Sequence, residues 1–320
     1  MMRVLVLHSD IAVDAPPEEQ DTMIAAAAVA DALIRRGHTA SRAAFRAETL
    51  DDVLAAHGPD IVFNLVEGVD GLGRLAPQAP AMLAERGLCF TGVEAGPMDL
   101  TNDKPRTKQL LRGAGLATPD WSTPPHWPGL DGRRWIVKSA LEDASLGLDD
   151  GCVVMGRDAA IARAAACAAR WGGGWFAEEF IDGREFNIAL LQDGDGVRIL
   201  PMAEMGFEAW PDRKPRIVGY EAKWDEGSAG WVGTVRRFGV EREDPALAAR
   251  LREACMRVWG MFGLTGFVRV DFRVTDAGEP LVLEINANPG IAPDAGFAAA
   301  AAEAGMDYDS LIQAIVEAAA

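Results

Sequence analysis

Two stretches near the C-terminus, residues 266–274 and 281–290, alternate apolar with polar side chains and are joined by the turn-forming segment TDAGEP. A period of two is typical of paired β-strands with one buried face, so the pattern predicts a hairpin. On the first strand the apolar residues are Val268, Val270 and Phe272, and the opposite face carries Arg269, Asp271 and Arg273. On the second strand the apolar residues are Leu281, Leu283 and Ile285, and the polar face carries Glu284 and Asn286.

The polar faces of these two strands carry a candidate metal site. If the apolar faces pack on a common core, Asp271, Glu284 and Asn286 converge beside Arg269. Carboxylate and amide oxygens next to a cation suit Mg²⁺ bound to a polyphosphate. The alternative is an ordinary amphipathic hairpin with a solvated outer face. That alternative does not explain an Asn within a carboxylate pair or the abrupt N-P-G turn that follows, and the motif alone leaves both interpretations open.

The first third of the chain alternates strand and helix patterns. Apolar runs predict strands at residues 3–8 and 60–65, and the predicted helices cover residues 22–36, 50–57 and 76–86. Such alternation is typical of a parallel sheet with helices on both faces, which gives the α/β class. Ligands bind such sheets at the carboxyl ends of the strands, which here are followed by residues 8–10 and 67–71.

The remainder of the chain suggests two further units. Helices are predicted at residues 103–114, 158–170, 244–262 and 307–319, with strands at 134–138, 175–181, 185–191 and 197–204 besides the hairpin. This mixture is typical of an α+β arrangement. We expect domains at residues 1–98, 99–177 and 178–320.

Composition excludes several partners. Lys and Arg number 31 against 48 Asp and Glu, and the net charge of −17 opposes binding to nucleic acid or to an anionic membrane. The four cysteines form no C-x-x-C pair, so neither a zinc site nor a disulfide framework is indicated. No long apolar segment follows Met1. A cytoplasmic protein is expected.

A lysine at the end of a predicted strand is a candidate phosphate ligand. Lys138 closes the apolar run WIVK and precedes a loop, ALEDASLGL, whose small residues would let a phosphate approach closely. The loop is not a Walker A sequence. Taken by itself, Lys138 is more typical of an exposed strand end, the usual environment of lysine, than of a phosphate ligand.

Several separated motifs, in order, carry a resemblance to a known family. The segments are FNLVEG, TGVEAGPMDLTNDKPRTKQLLRGAGLATP, WIVKSALEDASLGL, FAEEFIDGREF, YEAKW, RVDF and LEINANPG. On these the chain resembles the D-alanine–D-alanine ligases and, through them, the ATP-grasp superfamily. The resemblance covers nearly the whole chain. It implies an ATP-grasp fold with an N-terminal Rossmann-like domain, and ATP held between the other two domains.

The resemblance also implies a role for each matching residue. The expected nucleotide-binding residues are Lys104, Lys138, Glu178, Glu179, Phe180, Ile181, Glu185 and Leu283. The first two would bind phosphates, residues 178–181 would contact adenine, and Glu185 would contact the ribose. Asp271, Glu284 and Asn286 would bind Mg²⁺, for which Mn²⁺ could substitute. The expected catalytic groups are Arg269, Lys223, Ser145 and the backbone amide of Gly290.

The chemistry implied is an ADP-forming ligation of an acid to an amino acid. ATP would convert a carboxylate into an acyl phosphate, which an amine then attacks to form an amide or a peptide bond. The partners would be small-molecule carboxylates and amines. Homodimerisation is expected by family analogy.

The resemblance fails at the positions that recognise D-alanine in the family. No acidic residue matches in the segment 11–20, a serine is replaced by Ala144, a tyrosine by Trp224 and a histidine by Glu67. Asp294 falls where an acceptor carboxylate would bind, and it would repel that carboxylate. Unless these loops are misaligned, the substrates are an amino acid or a small peptide other than D-alanine pairs. A D-alanine–D-alanine ligase is the nearest alternative, and a weakly active ATP-binding homologue or a phosphotransferase is a further one.

Overall fold

The structure, a computed structural model, describes residues 1–12, 15, 17–143, 145–212, 214–225 and 227–319, without the side chains of residues 17–19. Ala144, one of the positions at which the family pattern changes, lies outside the described residues, as does part of the segment 11–20. The described chain forms three β-sheets of three, four and six strands.

The N-terminal region folds, as predicted, around a parallel sheet with flanking helices. Its strands, in the order β2-β1-β3, are β1 (Arg3–His8), β2 (Thr39–Ala44) and β3 (Ile61–Leu65). Its helices are α1 (Pro17–Arg35), α2 (Leu50–His57) and α3 (Gln78–Glu85). Helix α1 begins at Pro17 rather than at residue 22. The prediction missed β2, an edge strand without an apolar run.

The central region forms a four-stranded antiparallel sheet with the order β4-β7-β5-β6. The strands are β4 (Trp121–Ser122), β5 (Arg134–Ser139), β6 (Val153–Met155) and β7 (Trp175–Glu179), and the helices are α4 (Ala95–Asn102), α5 (Lys104–Gly113) and α6 (Arg157–Trp171). Val137 and Ala177 pair across β5 and β7 and pack towards α6. Because side chains alternate along a strand, Lys138 and Glu178 extend from the opposite face.

The third sheet has six antiparallel strands, with the order β11-β10-β8-β12-β13 and β9 paired with β8. The strands are β8 (Arg184–Asp193), β9 (Gly196–Ile199), β10 (Ala203–Phe207), β11 (Thr234–Arg237), β12 (Phe267–Val274) and β13 (Pro280–Asn286). The helices that follow β10 are α7 (Tyr220–Trp224), α8 (Ala229–Gly233), α9 (Val240–Glu243) and α10 (Pro245–Phe262). The single strand predicted at 197–204 is wrong, since the chain leaves the sheet around Pro201, which has no N–H for the ladder.

A β-bulge corrects the predicted faces of the C-terminal hairpin. Asp271 pairs with Glu284, but the next residue, Phe272, pairs with Val282, so that Leu283 is the extra residue. Val282 is therefore buried in the core, whereas strict alternation assigned the apolar role to Leu283. Leu283 and Glu284 both line the central cavity instead.

The C-terminal helices return to the first sheet. They are α11 (Gly296–Glu303) and α12 (Tyr308–Glu317). Their apolar residues, among them Phe297 and Leu311, share one buried cluster with Val6 of β1 and with residues of α1. Helix α11 thereby starts at the edge of the central cavity, which includes Gly296 in its lining.

The division at residues 98 and 177 remains a proposal. Residue 98 lies within α4, and residue 177 lies within β7. In the part of the chain that is described, no helix is both long and apolar enough to cross a membrane.

Candidate active site

A cavity of about 1250 Å³ is lined by residues of the second and third sheets and by the segments that follow β1 and β3 of the first sheet. Every described residue that the sequence analysis selected borders it. They are Glu67, Lys104, Lys138, Ser145, Glu178, Glu179, Phe180, Ile181, Glu185, Lys223, Trp224, Arg269, Asp271, Leu283, Glu284, Asn286, Gly290 and Asp294. The cavity is large enough to hold a nucleotide and a second small molecule together. The individual roles of these residues remain predictions.

Two neighbours on the sheet hold Asp271. Arg269 donates from Nε and from Nη2 to the two carboxylate oxygens, both over 2.8 Å. Asn286 Nδ2 donates to Asp271 Oδ2 over 3.1 Å. Glu284 lies opposite Asp271 in the register of β12 and β13, and Asn187 lies opposite it on β8. The oxygen-bearing side chains therefore occupy adjoining positions on one face of the sheet.

Positive charge surrounds Glu284. Burial by itself would raise the pKa of its carboxyl, but the surrounding cations outweigh burial and lower that pKa to about 2. In decreasing order of effect these cations are Lys104, Lys138, Lys223 and Arg269. Glu284 is consequently ionised at neutral pH. Although the chain as a whole is acidic, positively charged side chains are grouped in the cavity.

The cationic groups differ in how they are held. Lys104 Nζ donates to Asp143 Oδ1 over 2.7 Å and to the carbonyl oxygen of Glu142 over 3.0 Å. Within the described ranges, Lys223 has neither a hydrogen bond nor an ion pair. Burial, followed by the charge of Arg269, lowers the pKa of Lys223. Lys104 is thus fixed to the wall of the cavity by hydrogen bonds. Lys223 lines the cavity, and its ammonium group has no hydrogen-bond or ion-pair partner among the described residues.

Glu178 lies between two lysines. Lys138 Nζ donates to Glu178 Oε1 over 2.6 Å, and Lys108 Nζ is in ion-pair contact with Oε2. Burial raises the pKa of Glu178, but Lys108 and Lys138 together keep it below its usual range. Each oxygen of the Glu178 carboxylate is therefore in contact with a lysine ammonium.

Glu185 forms a second buried ion pair. Arg273 Nη2 donates to Glu185 Oε2 over 2.6 Å, and Arg273 Nη1 donates to the carbonyl of Gly183 over 2.8 Å. Burial raises the pKa of Glu185, and Arg273 opposes that rise. Arg273 was assigned no role from the sequence. Its contacts fix the carboxylate that the resemblance assigns to the ribose.

The segment 206–233 lies against residues 145–148 of the loop that follows β5. The backbone N–H of Tyr220 donates to Leu148 O over 3.1 Å, and Ser145 Oγ is 3.4 Å from the carbonyl oxygen of Val218. A Cβ added to Gly219 would lie only 2.4 Å from Leu148 O, so this close approach requires glycine. These contacts carry Lys223 and Trp224 to the cavity.

One protein family and two sequence relatives match this chain. The family described as "D-ala D-ala ligase C-terminus" matches residues 134–317. An uncharacterized protein, y4sG, of Sinorhizobium fredii is 32% identical over 265 residues, which cover 81% of this chain and 74% of the relative. A D-alanine–D-alanine ligase of Chromohalobacter salexigens is 31% identical over 306 residues, which cover 94% of this chain and 90% of the relative. The chain belongs to the D-alanine–D-alanine ligase family.

A solved structure agrees with this assignment. The D-alanine–D-alanine ligase of Bacillus anthracis complexed with ATP superposes with a TM-score of 0.77 at 20% identity, covering 100% of this chain and 97% of that one. The predicted ATP-grasp fold is confirmed. The chain is an ATP-binding ligase of this family, which forms carbon–nitrogen bonds with production of ADP.

The family's metal requirement can be tested against these side chains. Among the described residues, no three or more His, Cys, Asp or Glu side chains form a metal-binding group. The predicted set instead combines two carboxylates and an amide, and all three adjoin one another on the sheet. Hard oxygen donors of this kind fit Mg²⁺ or Mn²⁺. Asp271, Glu284 and Asn286 therefore suit the ion that the family implies.

Three acidic residues, Glu67, Asp294 and Asp21 of α1, adjoin one another at one end of the cavity. The substrate roles of Glu67 and Asp294 remain predictions. A Cβ at Gly290 would lie 3.9 Å from Asp21 Oδ2, so this carboxylate is next to the N-P-G turn. The family pattern gave no matching acid in the segment 11–20, and Asp21, just beyond it, is an acid that the structure places at the cavity. Its position on a helix that begins earlier than predicted explains the omission.

Arg236 is the other residue that the sequence analysis missed. It lies on β11, opposite Met205 of β10, and lines the same end of the cavity. The four-residue strand was not recognised, because its sequence TVRR has no apolar run. Alternation along TVRR would have grouped Arg236 with Thr234, which also lines the cavity.

Proposed function

We propose that this protein ligates an amino acid or a small peptide to an amine in an ATP-dependent reaction that passes through an acyl phosphate. One observation carries the proposal. Lys104, Lys138, Lys223 and Arg269 all act on the single carboxylate of Glu284 within one cavity. Such a group of cations beside an oxygen-donor set is what phosphoryl transfer requires, because the transferred group is strongly negative.

The nucleotide would lie along the central sheet. Residues 178–181 would contact adenine. Glu185 would accept a hydrogen bond from the ribose, and Leu283 would pack on the base. Lys104 and Lys138 would bind phosphate oxygens. These assignments rest on the lining of the cavity and on the family resemblance.

Asp271, Glu284 and Asn286 would bind Mg²⁺, with Mn²⁺ as a substitute. When bound, the metal would neutralise phosphate charge and orient the transferred group. Arg269, which already holds Asp271, would keep that carboxylate correctly oriented.

The chain's own groups then account for both chemical steps. In the first, an oxygen of the donor carboxylate attacks the terminal phosphorus, and ADP leaves. In the second, the amine attacks the carbonyl carbon, phosphate leaves, and the amine gives up a proton. Arg269 and the backbone N–H of Gly290 would stabilise negative charge on the acyl oxygen. Lys223 would stay in contact with the terminal phosphate during its transfer. Ser145 and the segment 206–233 would exclude water that could hydrolyse the intermediate.

The substrates would differ from D-alanine pairs. Glu67 and Asp294 border the substrate end, where Asp21 adds a third carboxylate. Trp224 replaces the family tyrosine, and it offers more bulk and no hydroxyl group. D-alanine–D-alanine ligation is the second candidate, and the 31% identity to the Chromohalobacter enzyme favours it. A homologue that stops at phosphoryl transfer is the further alternative, and homodimerisation stays a proposal from family analogy.

A paired screen tests this function. Amino acids, dipeptides and amines would be supplied in pairs with ATP and Mg²⁺, and ADP, phosphate and condensed products would be measured. A parallel series would contain one acid and hydroxylamine, which traps an acyl phosphate as a hydroxamate with release of phosphate. We expect hydroxamate with at least one acid and an amide product with a subset of pairs. Phosphate release without any hydroxamate or amide would contradict ligation.

A further inference from the structure

Arg236 is a partly buried cation that lacks a protein partner. Over the described part of the chain it forms no hydrogen bond and no ion pair, although it lines the cavity. Its neighbour Arg237, in contrast, is exposed and forms an ion pair with Glu208. A partly buried guanidinium that forms no ion pair, even with its acidic neighbour Asp294, is costly, and its planar donors match a carboxylate in a two-point contact.

The surroundings of Arg236 place it at the substrate end rather than at the phosphates. Its charged neighbours are Arg269, which opposes its charge, and Asp294, which supports it. The lysines that act on Glu284 are not among these neighbours. A Cβ on Gly296 would lie 3.6 Å from Arg236 Nη2, so the guanidinium adjoins the first turn of α11. An anion held here would also meet the positive end of that helix.

We propose that Arg236 binds the carboxylate of the acceptor substrate. This inference rests on the proposed function, and it narrows the acceptor to an amino acid or a peptide with a free carboxylate. The sequence alone favours the opposite conclusion, because Asp294 would repel such a group. Arg236 supplies the missing counter-charge at the same end of the cavity. The neighbouring acids, Asp21 and Asp294, then suit the ammonium form in which an amino acid arrives.

The test compares Arg236→Gln with Arg237→Gln, which removes an exposed guanidinium from the adjacent position of the same strand. A productive acceptor from the paired screen is supplied as the free acid and as its carboxamide. Wild type and Arg237→Gln should prefer the acid. In Arg236→Gln we expect the KM for the acid to rise by about 30-fold or more, and the preference over the carboxamide to disappear, because a paired buried charge is lost. Arg236→Lys should recover part of the preference, since it keeps the charge but not the planar fork.

Trapping with hydroxylamine separates this inference from the proposed function. Donor activation does not need the acceptor, so Arg236→Gln should form hydroxamate at the wild-type rate with an unchanged KM for ATP. An unaltered preference for the acid in Arg236→Gln would overturn the inference, as would a raised KM for ATP. In either case the formation of hydroxamate by the wild type would leave the ligase proposal standing. A wild type that forms no hydroxamate with any acid would overturn the proposed function and this inference with it.

Discussion

Lys108 and Glu178 form an ion pair that is almost completely removed from solvent, with side-chain exposures of 1% and 2%. Lys108 Nζ also donates to Thr118 Oγ1 over 2.8 Å, and the Thr118 hydroxyl donates to the carbonyl of Val282 over 2.7 Å. One buried lysine thus connects α5, the central sheet and the strand that carries Glu284. Desolvation lowers the pKa of Lys108 to about 8 despite the opposing effect of Glu178. Burial therefore disfavours the charged form of the lysine that makes this connection.

Lys108→Met should destabilise the protein by about 3 kcal/mol, because it leaves Glu178 buried with only one lysine. The matched control is Arg106→Gln on the same helix, where an exposed ion pair with Asp99 spans 3.6 Å. That change should cost less than about 1 kcal/mol. Urea unfolding with an unchanged m-value would measure both. Equal losses in the two variants would contradict a structural role for the buried pair.

Glu284→Gln should leave the protein folded but lower kcat by about 100-fold or more, because metal-assisted charge stabilisation is worth several kcal/mol. Glu284 borders the cavity and is only partly buried, so its neutral isostere should be accommodated. Glu279→Gln, an exposed change just before β13, serves as the control and should keep full activity. Turnover would be measured across a magnesium titration. Full ATP-dependent activity in Glu284→Gln would remove Glu284 from the metal site.

The same hairpin marks how far sequence reasoning reached. The period of two correctly predicted that Arg269, Asp271 and Asn286 share one face. It held here because β12 and β13 pair regularly from Arg269 to Asp271. It failed at Leu283, since a bulge adds one residue and cannot be foreseen from a period.

Other parts of the site depend on tertiary packing. Family motifs located Lys104, Lys138 and Lys223, but no local pattern predicts that Lys108 is buried against Glu178 from another element. Arg236 was missed for a different reason. Its strand is short and polar, and it pairs only at the sheet edge, where hydrophobic patterning gives little signal.

A nucleotide should protect the segment 206–233 from cleavage. The chain has five lysines. Lys104 and Lys108 are buried and Lys138 lies within β5, whereas Lys214 lies outside regular secondary structure and Lys223 lies in the five-residue helix α7. An endoproteinase specific for lysine should therefore cut the folded protein after Lys214 and, more slowly, after Lys223, both in this segment. A non-hydrolysable ATP analogue with Mg²⁺ should slow these cuts as Lys223 engages phosphate.

Glu284→Gln provides the control for this protection, because weaker metal binding should weaken the effect of the analogue. The measurement is the rate at which the intact chain disappears on a gel, with mass analysis of the fragments. Equal rates with and without the analogue in the wild type would mean that no lid closes over the nucleotide.

Glu67 should make stability depend on pH. Desolvation, followed by the charges of Asp21 and Asp143, raises the pKa of Glu67 to about 8, and Arg269 opposes this rise. The folded state therefore holds a proton that the unfolded chain releases near pH 4.5, so stability falls as the pH rises from about 4.5 to about 8. Glu67→Gln cannot lose a proton. Its melting temperature should exceed that of the wild type by a margin that grows over this range and is constant above pH 8.

The margin should be small, because water in the cavity reaches the exposed part of the Glu67 side chain and offsets part of this desolvation. Thermal unfolding of the two proteins at pH 5 and at pH 8 measures it. A margin that is identical at both values would mean that the carboxyl titrates normally.

D-alanine with D-alanine should react at less than about 1% of the rate of the best pair. The indole N–H of Trp224 can donate a hydrogen bond but cannot accept one, so it does not replace the hydroxyl of the family tyrosine. A site that lacks a required hydrogen bond can discriminate by several orders of magnitude. Trp224→Tyr should therefore raise the relative rate with D-alanine, whereas Trp231→Tyr, at an exposed position of the same cavity, should leave it unchanged. Dipeptide formation would be followed by mass spectrometry against the full amine and amino-acid panel. If D-alanine is the best substrate of the wild type, Glu67, Trp224 and Asp294 do not redirect specificity, and the protein makes D-alanyl-D-alanine.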